Sequence, residues 1–224
     1  MADKGAIVEF DFTALDGAAI LFDLAKRYLE DLDGIALDVP REARYLVGCS
    51  YQEGLQRLFG VLKTKKTAAK AARELEEAFK VALAEHVAEG VTQGFRNFVK
   101  TLSDKGVKVV LSTRADICSD VVRTALADLV GGKVVLHQEP SVCYGCVKWD
   151  SWRLACLKNS LRNTSSVAVT GSGFGVKSAL TVGMGALAVV HDHVSYQDFG
   201  GAEAVVNALD TAAAKKVLSI LRIG

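Results

Sequence analysis

The chain has 224 residues, half of them hydrophobic, with only two prolines. That length and composition bound it to one domain, or one domain with an insertion, able to bury a sizeable core and free of long disorder. A formal net charge of +1 gives no electrostatic case for nucleic acid or an anionic membrane as partner, and no apolar run of about 18 residues predicts a membrane-spanning helix.

The first residues, Met1-Ala2-Asp3-Lys4, lead directly into an apolar run without the basic and apolar regions of a signal peptide. Five cysteines, an odd number spread over a long chain, suit reduced thiols in a cytoplasm better than a disulfide framework.

The run Ala6-Ile7-Val8 reads as a strand that ends at the carboxylates Glu9 and Asp11. From about Gly17 to Glu89 the pattern is helical, with apolar spacings of three and four in Ala18 to Leu32, Tyr51 to Leu62 and Lys70 to Val91. The character then changes to alternating elements. Phe95 to Leu102 predicts a helix, Asp104-Lys105-Gly106 a turn and Val107 to Leu111 a buried strand. Ser119 to Leu129 is a helix closed by Gly131-Gly132, and Lys133 to Leu136 a strand. Ser151 to Leu161 is a helix, Ser166 to Val169 a strand, Val176 to Val182 a helix, Ala186 to Val190 a strand and Ala202 to Leu209 a helix. Alternation of this kind is the signature of an α/β fold with a parallel sheet covered on both faces. The helical block sits between the first strand and the rest, as an insertion over the carboxyl ends of the strands, where such sheets bind ligands.

Glu9 and Asp11 are spaced by two. On a strand that period places both on one side, where one carboxylate can attack a phosphorus or carbon centre and the other can move a proton. Ser112 ends another strand, Lys148 follows in Val147-Lys148-Trp149, and Gly171-Ser172-Gly173-Phe174-Gly175 opens a helix after Val169-Thr170. Backbone N–H groups at a helix start attract phosphate or carboxylate; equally, glycines there let a turn pack tightly, and a strand-end serine can serve only as a cap.

Taken in order over essentially the whole chain, these features resemble the haloacid dehalogenase-like superfamily, in its helical-cap subgroup of phosphoglycolate phosphatase and β-phosphoglucomutase type. The first motif of that family is Asp-x-Asp-x-Thr with an acid three residues on; Asp11, Thr13 and Asp16 match it, and Glu9 stands at the nucleophile position. The resemblance implies a Rossmann-like core over 1–16 and 91–224 with a helical cap over 17–90. It implies catalytic roles for Glu9, Asp11, Ser112 and Lys148, with Lys158, inside a helix pattern, the poorer candidate for the lysine. It also implies ligand contacts at Thr13, Thr170, Gly171, Ser172 and Gly173, and Mg2+ held by Glu9 and Asp11.

Two departures fall on the most charge-critical positions. Glu9 is one methylene longer than the family's aspartate, and a displacement of about 1 Å can cost about a hundredfold in rate. The fourth motif, where the family carries one or two acids for magnesium, reads Thr170-Gly171 and supplies no charge. Asp16, Asp116 and Asp192, all near predicted strand ends, are the available replacement acids. The expectation is therefore a degenerate site that binds a small phosphorylated or otherwise anionic molecule, or a partner, with little or no hydrolysis. The alternative is an active metal-dependent phosphatase using Glu9 and Asp11.

Other patterns compete. Gly171-x-Gly173-x-x-Val176, with Asp192 about 20 residues on, imitates a dinucleotide fingerprint, but few residues follow it. Cys143-Tyr144-Gly145-Cys146 has metal-ligand or redox spacing without a second pair, although His137, Cys156, His191 and His193 could contribute if the fold brings them near. His191-Asp192-His193, if extended, directs its histidines apart. The run Lys63, Lys65, Lys66, Lys70 and Arg73 precedes Glu74, Glu76 and Glu77 and reads first as a solvated helix face.

Overall fold

Six apolar runs rich in valine and alanine form the strands of one parallel sheet in the computed structural model, which describes residues 3–33, 37, 44–63, 67–139, 143–144 and 148–223. The strands are β1 (Gly5–Glu9), β3 (Lys108–Thr113), β4 (Val134–Gln138), β6 (Ser166–Thr170), β7 (Gly185–Val189) and β8 (Ala204–Val206). Their order is β4-β3-β1-β6-β7-β8, with every pairing parallel. β1 lies in the middle: Val8 stands opposite Leu111 on one side and Val169 on the other, and Glu9 opposite Ser112.

The helices are α1 (Phe10–Thr13), α2 (Gly17–Asp33), α3 (Tyr51–Leu62), α4 (Ala68–Glu89), α5 (Gln93–Asp104), α6 (Asp120–Ala125), α7 (Trp149–Lys158), α8 (Gly173–Thr181) and α9 (Thr211–Ile220). Their starts are chemically marked. Ser50 and Glu53 form a reciprocal capping box at α3, and Thr92, Ser172 and Asp210 accept from backbone N–H groups at α5, α8 and α9.

Alternation along each strand sorts the core into two faces. Val8, Val109, Leu111, Val167 and Val169 pack with Phe95, Phe98 and Leu102 of α5 and with Ala214 and Val217 of α9. On the other face Ile7, Val110, Ala168 and Ala186 meet Trp152 and Cys156 of α7 and Val176 and Ala179 of α8. Trp152 fixes that layer: its indole N–H donates to Gly175 O and Ser178 Oγ (3.3 and 2.9 Å).

Helices α2, α3 and α4 form the helical cap, and their buried faces are continuous with the first of these layers. Phe79 of α4 is the junction. Its ring lies 6.4 Å from that of Phe12, just beyond β1, and 6.4 Å edge-on from that of Tyr51 at the start of α3. A two-residue antiparallel ribbon between β2 (Cys49–Ser50) and β5 (Cys143–Tyr144) ties the cap to the segment before α7. Among the described residues no helix is long and apolar enough to cross a membrane.

Two sequence expectations are corrected. Ala202 to Leu209 is not a helix: Ala204–Val206 forms β8 beside β7, and the helix begins only after Asp210. The β-branched pair Val205-Val206 suits a strand, and Asp210 supplies the helix start through Ala213 N–H (2.8 Å). Strand β1 also stops at Glu9. Phe10–Thr13 coil into one helical turn, closed by Thr13 Oγ1 donating to Glu9 O (2.8 Å).

Because Phe79 joins the cap to the residues after β1, Phe79→Ala is expected to lower stability by about 3–5 kcal/mol, read from urea denaturation. A loss below about 1 kcal/mol would mean that this junction carries little packing.

Candidate active site

The helical turn after β1 decides where the two acids go. A strand would hold Glu9 and Asp11 side by side; the turn sends them to different neighbours. Glu9 is 1% exposed and reaches toward β6, where its Oε2 accepts from Thr170 Oγ1 (2.6 Å) and Gly171 N–H (3.2 Å). Asp11, fully buried, turns toward β3. Its Oδ1 accepts from Thr113 Oγ1 (2.5 Å), and its Oδ2 accepts from Arg114 N–H (2.8 Å) and Arg114 Nη1 (3.3 Å).

Burial dominates the electrostatics of both acids. It raises Glu9 from 4.5 to about 7, against the opposing pull of Arg114, Thr170 and Gly171. It also pushes Asp11 above its ordinary value, opposed by Arg114 and the Thr113 hydroxyl. Glu9 Oε1 is buried with no hydrogen-bond partner among the described residues, a position where a neutral carboxyl costs less than an ionised one.

The extra methylene of Glu9 and the glycine at 171 fit one another. Gly171 lies so close to the Phe12 carbonyl that a Cβ there would overlap it, so an acid has no room at this position. The glutamate carboxylate reaches instead to the Gly171 amide itself. Gly173 packs against the Asp198 backbone and Gly175 against Thr170, so the glycines serve tight packing.

Three amides at the turn into α8, where the sequence suggested unpaired anion-binding groups, are engaged within the protein. Gly171 N–H donates to Glu9, Gly173 N–H to Gln197 Oε1 (2.8 Å) and Gly175 N–H to Ser172 Oγ (3.0 Å). Thr13 is buried and spent on the Glu9 carbonyl.

Ser112 is brought beside this cluster but faces a different acid: its hydroxyl lies 3.4 Å from Glu139 Oε2, whose other oxygen accepts from Ser151 Oγ (3.0 Å). Lys148 is exposed at the start of α7, and its charge acts on Glu53 of the cap. Lys158 is exposed in the last turn of α7.

Of the replacement acids, Asp116 and Asp192 are exposed, while Asp16 caps α2 through Ala19 N–H (3.0 Å). Residues 192–194 form a 3-10 turn, so His191 and His193 do not diverge: both Nδ1 atoms face Asp16 Oδ2, at 3.9 and 3.8 Å. Cys49, Cys118 and Cys156 are free thiols; Cys146, Lys65 and Lys66 lie outside the described residues.

The donor set does not fit the magnesium that the resemblance implies. Asp11 already accepts from three donors and Glu9 Oε2 from two, Glu9 Oε1 is buried, and a side chain at position 171 would overlap the Phe12 carbonyl. Among the described residues no group of three His, Cys, Asp or Glu side chains is placed to hold a metal ion. Arg114, Thr113 and Glu139 were not identified from the sequence. The available signal was a charged residue directly after Ser112-Thr113 at a strand end, and an acid directly after β4.

Glu9 makes stability depend on pH. The folded state keeps its proton to about 7, whereas the ordinary value is 4.5. Between these limits the native state binds more protons, so stability is full below the lower limit and falls as pH rises through the upper one. Glu9→Gln is expected to remove about 3 kcal/mol of this dependence, seen as a flatter denaturation midpoint between about pH 5 and about pH 8. An unchanged profile would contradict the assignment.

No protein-family model matches the sequence, and no curated protein does. Solved structures do. The chain is similar to β-phosphoglucomutase from Clostridium difficile, with a TM-score of 0.71 at 14% identity over 98% of this chain and 97% of that one. It is similar to CbbY from Rhodobacter sphaeroides in complex with phosphate, with a TM-score of 0.66 at 15% identity over 93% and 95%. A third likeness is to a haloacid dehalogenase (HAD) family hydrolase from Deinococcus radiodurans with bound phosphate and sodium, with a TM-score of 0.62 at 15% identity over 100% and 97%. Sheet order, cap and these likenesses together give the chain the fold of the haloacid dehalogenase-like hydrolases with a helical cap.

Proposed function

We propose that this chain is a non-hydrolysing protein of the haloacid dehalogenase-like fold, binding a small phosphorylated or otherwise anionic molecule under a cap spanning residues 17–90. One observation carries the loss of hydrolysis: the Glu9 carboxylate is anchored on Thr170 and Gly171. A nucleophile must present a free, ionised oxygen to its target. Here Oε2 accepts two hydrogen bonds, Oε1 is buried, and burial keeps the group largely protonated below about pH 7. The anionic ligand is supported by CbbY and the Deinococcus radiodurans hydrolase, both solved with phosphate.

A working hydrolase is the second reading, and one observation favours it. A carboxyl that titrates at about 7 is matched to proton transfer at neutral pH. In that reading Glu9 or Asp11 would activate water or serve as the acid, with Ser112 beside the reacting group.

Phosphate release separates the two. The native chain and Asp11→Asn are to be compared on a broad panel of phosphate esters, with magnesium and with chelator. The expected result is no turnover above the variant on any ester, together with a rise in melting temperature of the native chain in inorganic phosphate. Turnover that Asp11→Asn abolishes would establish the hydrolase instead.

A further inference from the structure

Arg114 emerges only in the folded chain. Its side chain is 5% exposed and that of Asp11 fully buried, so the pair is removed from solvent. Two groups of Arg114, the backbone N–H and Nη1, reach the same Asp11 oxygen at 2.8 and 3.3 Å. The guanidinium carbon also stands 5.5 Å from the centroid of the Phe12 ring, which holds it from the side. Its charge acts on Glu9 as well as on Asp11. One fixed cation therefore bonds Asp11 directly and acts through its charge on Glu9 at the end of β1, the place where the resembled family uses a divalent ion. The usual third acid is sterically excluded by the Phe12 carbonyl at Gly171.

We propose that Arg114 is the built-in cation of this site, standing in for a divalent metal, so that the protein neither requires nor takes up one. A guanidinium is permanently charged, and its planar donors match carboxylate oxygens. It also contributes no open coordination position, so it neutralises the acids without polarising a ligand as a metal does. The inference goes beyond the non-hydrolysing reading. Metal-free turnover would sink that reading and leave this one standing, whereas Mn2+ binding without turnover would do the reverse.

The test compares melting temperatures in Mn2+ and in chelator, with Mn2+ binding followed by electron paramagnetic resonance. The native chain and Arg114→Lys, which keeps the charge, are expected to show no metal-dependent shift and no bound Mn2+. Arg114→Met and Arg114→Gln leave two buried carboxylates without their cation. They are expected to melt about 10 °C lower in chelator and to recover about 5 °C or more in saturating Mn2+. A purely structural ion pair would give the loss without the recovery, and that outcome overturns the proposal. So does Mn2+ binding by the native chain that Asp11→Asn removes. If neither neutral variant folds, the native titration decides: no bound Mn2+ upholds the proposal, and bound Mn2+ overturns it.

Discussion

The hydrogen bond from Thr170 Oγ1 to Glu9 Oε2 joins the ends of two neighbouring strands across 161 residues of sequence, and the rest of the site is arranged around it. It requires a side chain one methylene longer than aspartate at position 9. It requires a hydroxyl at 170, which in turn accepts from Ser172 N–H (3.4 Å). It requires no side chain at 171, where the Phe12 carbonyl fills the space. The two sequence departures at positions 9 and 171 are thus a single complementary change. One oxygen of the Glu9 carboxylate is thereby held by the Thr170 hydroxyl and the Gly171 amide.

The second acid follows the same logic with a different partner. The helical turn at Phe10–Thr13 carries Asp11 away from Glu9 and delivers it to Thr113 and Arg114. A buried carboxylate left without donors would cost several kcal/mol. Three donors offset part of that cost and occupy three of the carboxylate's acceptor positions.

The fold was largely legible in the sequence because the strands are short apolar runs bounded by turns, and Tyr51–Leu62 keeps its helical spacing from end to end. β8 was read as a helix because three residues, Ala204–Val206, carry too little periodicity to outweigh alanines around them. Asp210 as a helix start was the signal that could have moved the boundary.

The site was legible only in part. Residue identity and spacing mark Glu9, Asp11, Thr170 and Gly171, and the structure joins Glu9 to Thr170 and Gly171. Their other partners are not so marked. Whether the Gly171 and Gly173 amides are free or satisfied depends on Glu9 and Gln197, one of them 162 residues away. Lys148 matched by position in the chain, yet lies exposed. Arg114 was invisible because a surface arginine and a buried one read alike until the strands are placed.

Whether Glu9 is available as a nucleophile can be measured without knowing a substrate. The native chain would be incubated with acetyl phosphate and magnesium, then analysed by intact-mass and peptide-level mass spectrometry. No phosphoryl adduct is expected on Glu9 under conditions that label an active aspartate phosphatase of the same fold. A phosphoryl group on the peptide containing Glu9, absent from Glu9→Gln, would contradict that expectation.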